Sequence, residues 1–336
     1  MIELSRQQIH RIRSTIRQAL GRSSSRRAML VTVEGTPQEL RIRAVSDRMA
    51  IEHRVPGTFP TVAFAVPFEA LAACEGRRED PVRFELADGQ VSIQWTDANI
   101  PQAVGFSTVE PVTLPEPPSD FAPIERTFLA AMADACATTD AESQRYALSC
   151  VRLRGADGHI AATDGQQALV QTGFTFPWSD DVLVPATGAF VAKAIRVATS
   201  VSLGRSTDWV FIRADEWTVA LQIEEDRRFP AIEAHIPDVS SASTTMVLAE
   251  TDAAFLDQAA QRLPGARMLG VGHSGSISHQ WAKLLSATPV SGTTIPEPNP
   301  FPSDCVMLAT FPCSSIAARC VVRPSTLPGG TGGTGV

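Results

Sequence analysis

Apolar residues near the N-terminus recur at steps of three and four positions. The apolar stripe consists of Ile9, Ile12, Ile16 and Leu20. A second set, made of Arg6, Arg13 and Arg17, falls together on a different face. Because both spacings match the period of an α-helix, the pattern predicts an amphipathic helix from residue 6 to residue 20 with a basic face.

Residues 28–104 follow a different pattern, in which apolar and polar positions alternate. The alternating apolar positions are Val31, Val33, Leu40, Ile42, Phe84, Leu86, Val91 and Ile93. Turn-forming residues, such as the Ala-Asp-Gly at 87–89, separate these runs. Alternation of this kind predicts half-buried antiparallel strands.

The same order of features returns about 118 residues later. The matched landmarks are Asp47 with Asp164, Pro67 with Pro185, and Phe84 with Phe211, at offsets of 117, 118 and 127. Three landmarks that keep their order indicate tandem domains. We therefore expect an α+β protein whose repeated units each pack two helices on antiparallel sheets.

Proline positions predict the boundaries of these units. Residues 111–123 contain five prolines, which interrupt helices and central strands, and they predict an extended linker. The predicted domains are residues 1–110, residues 124–238 and a partial third unit at 244–285. Residues 286–336 contain 14 proline or glycine residues out of 51, a density typical of a poorly ordered tail.

Charge is unevenly distributed along the 336 residues, whose formal net charge is −7. Residues 1–55 carry a local charge of +6, which leaves −13 for the remainder. The segment after the first helix adds Arg22, Arg26 and Arg27 around a run of serines. A basic element on an acidic body predicts a polyanionic partner met on one surface; a solvated helix face is the alternative interpretation.

Several classes of protein are disfavoured by the sequence. No apolar run approaches the roughly 20 residues of a membrane helix, and the N-terminus lacks a secretory-signal pattern. The six cysteines form no C-x-x-C pair, and the spacings of His53, His159 and His235 fit no metal site. We therefore expect a cytoplasmic protein without a metal or cofactor.

Two further motifs suggest enzyme chemistry. Residues 270–275 match G-x-G-x-x-G, and Ser274 lies in a sequence close to a nucleophile elbow. Neither has the flanking strand and helix pattern that such sites require. Asp164, which precedes a glycine, is typical of a turn. We therefore expect no enzyme activity, with a hydrolase that uses Ser274 as an alternative.

Four short motifs carry a resemblance to a known family. They are Arg-Tyr-Ala-Leu at 145–148, Ala-Thr-Asp-Gly at 162–165, Val-Leu-Val-Pro at 182–185 and Arg-Phe-Pro at 228–230. In this order and spacing, they resemble the middle domain of the bacterial DNA sliding clamp, the beta subunit of the replicative DNA polymerase. The resemblance is strong over residues 121–237, fair over 1–110, and confined to 245–263 in the third part.

This resemblance implies a ring, formed by a homodimer, whose helices face double-stranded DNA and whose sheets form the outer wall. Binding to DNA would then be independent of sequence. The implied DNA-binding residues are Arg13, Arg17, Arg22, Arg26, Arg27, Arg145 and Tyr146. The implied partners are DNA polymerase and clamp-loader subunits.

The family also has a pocket for short peptides of its partners. The residues that match this pocket are Thr163, Gly165, Gln166, Gln167, Ala168 and Pro230. The family usually has His-Arg-Leu after Thr-Asp-Gly, whereas this chain has Gln-Gln-Ala and so lacks a cation and a large apolar wall there.

The function that we expect is that of a processivity factor, which encircles duplex DNA and tethers replication or repair proteins. The alternative is a diverged clamp homologue that stays monomeric and acts as a protein-interaction module.

Overall fold

A computed structural model describes residues 1–21, 29–141, 143, 147–165 and 168–232, together with the backbones of three strands at 245–247, 307–310 and 319–322.

The first helix, α1 (Arg6–Leu20), has the bounds that its apolar period predicts. A capping box at its start pairs the Ser5 hydroxyl with the backbone of Gln8 and the Gln8 side chain with the backbone of Ser5. The helix ends at Gly21, whose φ of +69° suits glycine. Three isoleucines of the predicted stripe, Ile9, Ile12 and Ile16, are fully buried.

The first unit contains eight strands and two helices. In chain order they are β1 (Ile2–Ser5), α1, β2 (Leu30–Gly35), β3 (Glu39–Val45), β4 (Met49–Pro56), β5 (Val62–Pro67), α2 (Glu69–Cys74), β6 (Pro81–Ala87), β7 (Gln90–Asp97) and β8 (Ile100–Ser107).

The second unit repeats this order. It consists of β9 (Ala122–Pro123), α3 (Thr127–Ala137), β10 (Cys150–Arg154), β11 (His159–Thr163), β12 (Ala168–Gln171), β13 (Asp181–Pro185), a 3-10 helix (Gly188–Val191), α4 (Lys193–Arg196), β14 (Val201–Arg205), β15 (Trp209–Ala214) and β16 (Trp217–Gln222). The 3-10 helix and α4 stand where α2 stands in the first unit. The expected α+β class, with helices packed on antiparallel sheets, is confirmed.

The two units share one sheet. Its eight strands run in the order β5-β2-β3-β4-β16-β15-β14-β9, and the joint is the antiparallel pair β4–β16, from Met49 opposite Leu221 to His53 opposite Trp217. A four-stranded sheet, β1-β6-β7-β8, completes the first unit. The apolar faces of both sheets pack against the helices in a core that spans both units.

Three further strands continue this arrangement in the third unit. They are β17 (Thr245–Val247), β18 (Met307–Thr310) and β19 (Arg319–Val322), and β19 pairs with β12 as β16 pairs with β4. The resulting sheet has the order β13-β10-β11-β12-β19-β18-β17.

The third unit is shorter than the others in its described strands. β17 pairs with β18 in parallel, whereas β6 and β14 each lie between two strands that they pair with antiparallel. In the second unit, β9 and β15 both pair antiparallel with β14, so β9 and β15 run parallel to each other. If β14 were removed, they would form a parallel pair like β17 and β18. The described strands of this unit therefore match the other units with that strand removed.

Strands β18 and β19 lie within residues 286–336, which the proline and glycine content predicts to be a poorly ordered tail. Within this segment the structure describes two strands, because β18 and β19 pair with each other and β19 pairs with the edge of β12. An open sheet edge can order a short strand that local composition alone would not.

The linker crosses the outer face of the shared sheet. The backbone N–H of Val112 donates to the Thr32 hydroxyl of β2 over 3.1 Å, and the Arg213 guanidinium of β15 lies 3.5 Å from the centre of the Phe121 ring. Ala122 and Pro123, at the end of the predicted linker, form the edge strand β9, a position that tolerates proline.

Candidate functional site

The arginines of α1 differ in what they contact. Arg13 is 19% exposed, donates to the Glu75 carboxylate over 2.6 Å and lies 5.5 Å from the centre of the Phe68 ring. Arg17 is exposed, with no ion pair to any described carboxylate. The two residues that the sequence groups together therefore have different surroundings, and Arg17 has the free charge.

Two cations on α4 were not predicted as site residues. Lys193 and Arg196 are exposed and three positions apart, so they share a face of this short helix. The end of α1 that carries Arg17 lies against the 3-10 helix that precedes α4, because the Thr187 hydroxyl donates to the Ala19 carbonyl over 2.8 Å. Cations of both units thus lie on the helical side of the molecule.

Helix α3 differs from α1 on this side. It contains no Lys or Arg, and its exposed positions are Ala130 and Ala137. Other residues of the predicted DNA-binding set, Arg22, Arg26, Arg27, Arg145 and Tyr146, lie outside the described residues.

The predicted peptide pocket begins at the turn between β11 and β12. Thr163 is buried, and its hydroxyl accepts from the backbone N–H of Gly165 over 3.0 Å. Gly165 has a φ of +90°, which favours glycine. Ala168, half-buried at the start of β12, pairs with Thr163 across the hairpin. Gln166 and Gln167 lie outside the described residues.

The segment that contains Pro230 borders the same stretch of chain as this turn. Leu148 is close to Gly165, since a Cβ on that glycine would lie 3.7 Å from the Leu148 side chain. Next to Leu148, Ala147 donates its backbone N–H to the Arg228 carbonyl over 3.2 Å and packs in a small cluster with Phe229. Leu148 and Phe229 therefore lie beside the residues of the predicted pocket, although only their motifs marked them in the sequence.

A cation lies beside the pocket in a place that the sequence did not indicate. The Arg152 guanidinium of β10 lies 4.6 Å from the centre of the Phe229 ring and 4.0 Å from the Asp181 carboxylate. Burial lowers the pKa of Arg152 from its ordinary value. Arg152 thus places a positive charge beside the predicted pocket, whose Gln-Gln-Ala segment contains none.

Solved structures that are similar to this chain include three bacterial beta clamps. The DNA polymerase III beta subunit of Pseudomonas aeruginosa is 16% identical, with a TM-score of 0.57 over 71% of this chain and 69% of that one. The Helicobacter pylori beta clamp bound to a DNA ligase peptide is 12% identical, with a TM-score of 0.58 over 76% of this chain and 74% of that one. A putative beta subunit of Eubacterium rectale is 10% identical, with a TM-score of 0.56 over 69% and 67%.

The fold is that of a bacterial DNA sliding clamp. No protein-family model matches the sequence, and no curated protein matches it. The resemblance carried by the four motifs is confirmed at the level of structure. Within the sliding-clamp fold, the helices and their exposed cations lie opposite the outer sheet face that the linker crosses.

The histidines considered for metal binding have other surroundings. His53 is half-buried and stacks on Trp217 with ring centres 4.3 Å apart, and its partial burial, with the nearby charge of Arg11, lowers its pKa to about 4. His159 lies 3.5 Å from Asp157. Among the described residues, no three His, Cys, Asp or Glu side chains are grouped as metal ligands, and no helix is long and apolar enough to span a membrane. His235 and Ser274 lie outside those residues.

Proposed function

We propose that this protein is a sliding-clamp-type processivity factor, which encircles duplex DNA and tethers replication or repair proteins. It acts by binding, without a catalytic step. DNA is held through its phosphates and without sequence preference.

The observation that carries this proposal is the edge-to-edge joint between units of one topology. Each joint continues a sheet on one side and places helices on the other, and the exposed cations Arg17, Lys193 and Arg196 are on the helical side. A wall of joined sheets with positive charge on its helical side suits a duplex, whose phosphates carry one negative charge per roughly 1.7 Å of axis.

One observation favours the second candidate, a monomeric protein-interaction module. The exposed residues of α3 are alanines, so this helix offers a duplex no charge of its own. A module of this kind would use the peptide pocket and would not encircle DNA.

Retention on circular DNA tests the proposal. The protein, loaded by the clamp loader of its own cell, is expected to stay on a closed plasmid in high salt and to leave once the plasmid is cut. Salt weakens phosphate contacts but cannot open a topological link. Equal loss from closed and cut plasmid would favour the monomeric module.

Partner binding is proposed at the pocket bordered by Leu148, Thr163, Ala168 and Pro230. A suitable probe is a DNA ligase peptide of the kind that the H. pylori clamp binds. Ala168→Glu should weaken binding at least tenfold, because it places a charge on the pocket wall. Thr175→Glu, at an exposed loop position, is the control, and equal affinity in both variants would place the peptide elsewhere.

A further inference from the structure

A row of polar side chains crosses the joint on the outer face of the shared sheet. In the strand register it consists of Arg213 of β15, Thr218 of β16, Glu52 of β4 and Arg43 of β3, each opposite the next. Phe121 of the linker packs on the apolar row beside it. Both units therefore contribute side chains to one polar row, which the linker borders.

The carboxylates of this face are bound by arginines of the first unit. The Glu52 side chain is 11% exposed, and its two oxygens accept from the Nε atoms of Arg43 and Arg54, each over 2.7 Å. Arg43 also donates to the Glu34 carboxylate over 2.6 Å. Glu52 therefore has two cationic partners within its own unit.

Arg213, from the second unit, has no such partner. Among the described residues it forms no ion pair with a carboxylate, and its Nε is buried without a hydrogen-bond acceptor. Its guanidinium lies 3.5 Å from the centre of the Phe121 ring, which attracts the positive charge but does not replace an acceptor at Nε. Because a buried donor without an acceptor costs free energy, the surroundings of Arg213 favour an additional acceptor.

Arg54 supplies a second group of donors near Arg213. It binds Glu52 through Nε, and its terminal N–H groups have no partner among the described residues. Burial, and then the nearby charge of Arg54, lower the pKa of Arg213. The Thr218 hydroxyl, half-buried between Arg213 and Glu52, also has no hydrogen bond within the described part of the chain. Donors of both units therefore lie around Thr218.

The chemistry of these donors indicates the class of ligand. A phosphate group has three or more acceptor oxygens and about two negative charges, so it can pair with two guanidinium groups and a hydroxyl together, whereas a carboxylate has only two oxygens and one charge. A long polyanion is disfavoured, because Glu34, Glu39 and Glu52 lie on the same face and would repel it. A small phosphorylated ligand therefore fits this row best.

We propose that Arg54, Thr218 and Arg213 bind a phosphate group of a small oligophosphate or nucleotide at the β4–β16 joint. The phosphate accepts from one arginine of each unit and so bridges the joint. The site lies on the outer sheet face, opposite the exposed cations of the helical side, and it does not depend on the proposed function.

Calorimetric titration with pyrophosphate at fixed ionic strength tests this site. Arg213→Gln and Arg54→Gln are each expected to weaken binding about tenfold, because each removes charge-assisted hydrogen bonds. Thr218→Val keeps the shape of the side chain and should weaken binding severalfold. Arg83→Gln is the matched control, because Arg83 is an exposed arginine of the four-stranded sheet, and it should bind as the unaltered protein does.

Cations of the helical side also attract phosphate, so Arg17→Gln serves as a second control and should retain full affinity. Two results would overturn the proposal. One is equal affinity in Arg213→Gln and Arg83→Gln, and the other is a loss in Arg17→Gln as large as that in Arg213→Gln. Arg213→Gln leaves both partners of Glu52 in place, so this variant is expected to stay folded.

A titration with ATP distinguishes the two sources of the phosphate group. Tighter binding of ATP than of pyrophosphate, lost in Arg213→Gln, assigns the site to a nucleotide. Equal or weaker binding of ATP, also lost in that variant, assigns it to a free oligophosphate.

Urea unfolding gives a second test of the same site. Because pyrophosphate binds the joined units and not the unfolded chain, it should raise the urea midpoint of the unaltered protein and of Arg83→Gln. The midpoint of Arg213→Gln should change much less. The same rise in all three proteins would place the anion elsewhere and would also overturn the proposal.

Discussion

At the scale of single residues, the helical period predicts on which face of a helix a side chain lies, but it does not predict which residues that side chain contacts. Arg13 and Arg17 share a face by helical period, yet only Arg13 has Glu75 and Phe68 within reach, and both come from another element more than 50 residues away. Which of these arginines keeps an unpaired charge therefore depends on tertiary contacts.

The two arginines should respond differently to substitution. Arg17→Ala is expected to weaken DNA association equally for all sequences and to reduce the slope of log affinity against log salt by about 1. Arg13→Ala should instead lower the free energy of unfolding by about 1 kcal/mol, because Phe68 and Glu75 lose a partly buried partner. Arg83→Ala, in the four-stranded sheet, is the control for both assays. An unchanged slope in Arg17→Ala would remove this residue from the DNA interface.

His53, at the β4–β16 joint, should make the free energy of unfolding depend on pH. Its pKa is about 4 when folded and near 6.5 when unfolded, so between these values the unfolded chain binds more protons. Stability is then complete above pH 6.5 and falls as the pH drops towards 4, by up to about 3 kcal/mol. Urea unfolding at pH 7 and 4.5 measures this difference.

The variant His53→Phe keeps a ring against Trp217 and should lose much of that pH dependence. His10→Gln, at an exposed position of α1, should retain it. The same dependence in all three proteins would assign it to other groups.

At the scale of elements, the period and the repeat predicted much of the fold. The bounds of α1, the strands of both units and the matched landmarks follow from local pattern. The strands of the third unit could not be predicted from local pattern, because β19 pairs with β12, which is distant in sequence, and β18 pairs with β19. The cations of α4 were missed because a four-residue helix has too little period to be recognised.

Gly188 should be needed for contact between the units. A Cβ at this position would lie 2.2 Å from the Gln18 carbonyl oxygen, at the end of α1. Gly188→Ala is therefore expected to lower the free energy of unfolding by about 1–3 kcal/mol, since neither backbone can move without disturbing the core. Gly105→Ala, where a Cβ meets nothing within 4 Å, is the control. Equal stability of the two variants would show that α1 and the 3-10 helix can move apart at little cost in free energy.

At the scale of the whole molecule, the first two units form a single body. They share a sheet through β4–β16, a core, and an ion pair between Arg48 and Glu224 at 2.5 Å. The point where one sequence repeat ends and the next begins therefore does not separate two independently folding units.

Unfolding should reflect this. Variants that retain only Trp95, in the first unit, or only Trp217, in the second, should show the same urea midpoint by fluorescence. Midpoints that differ by more than the error of the fits would mean that the units unfold separately.

The recurring joint also determines how one unit follows the next. Because β12–β19 repeats β4–β16, the hydrogen-bonded register sets the position of each unit relative to the one before it, and the linker packs across the first joint through Leu114 and Phe121. The circumference of any closed assembly of this chain would then be determined inside each copy, whatever surface joins one copy to the next.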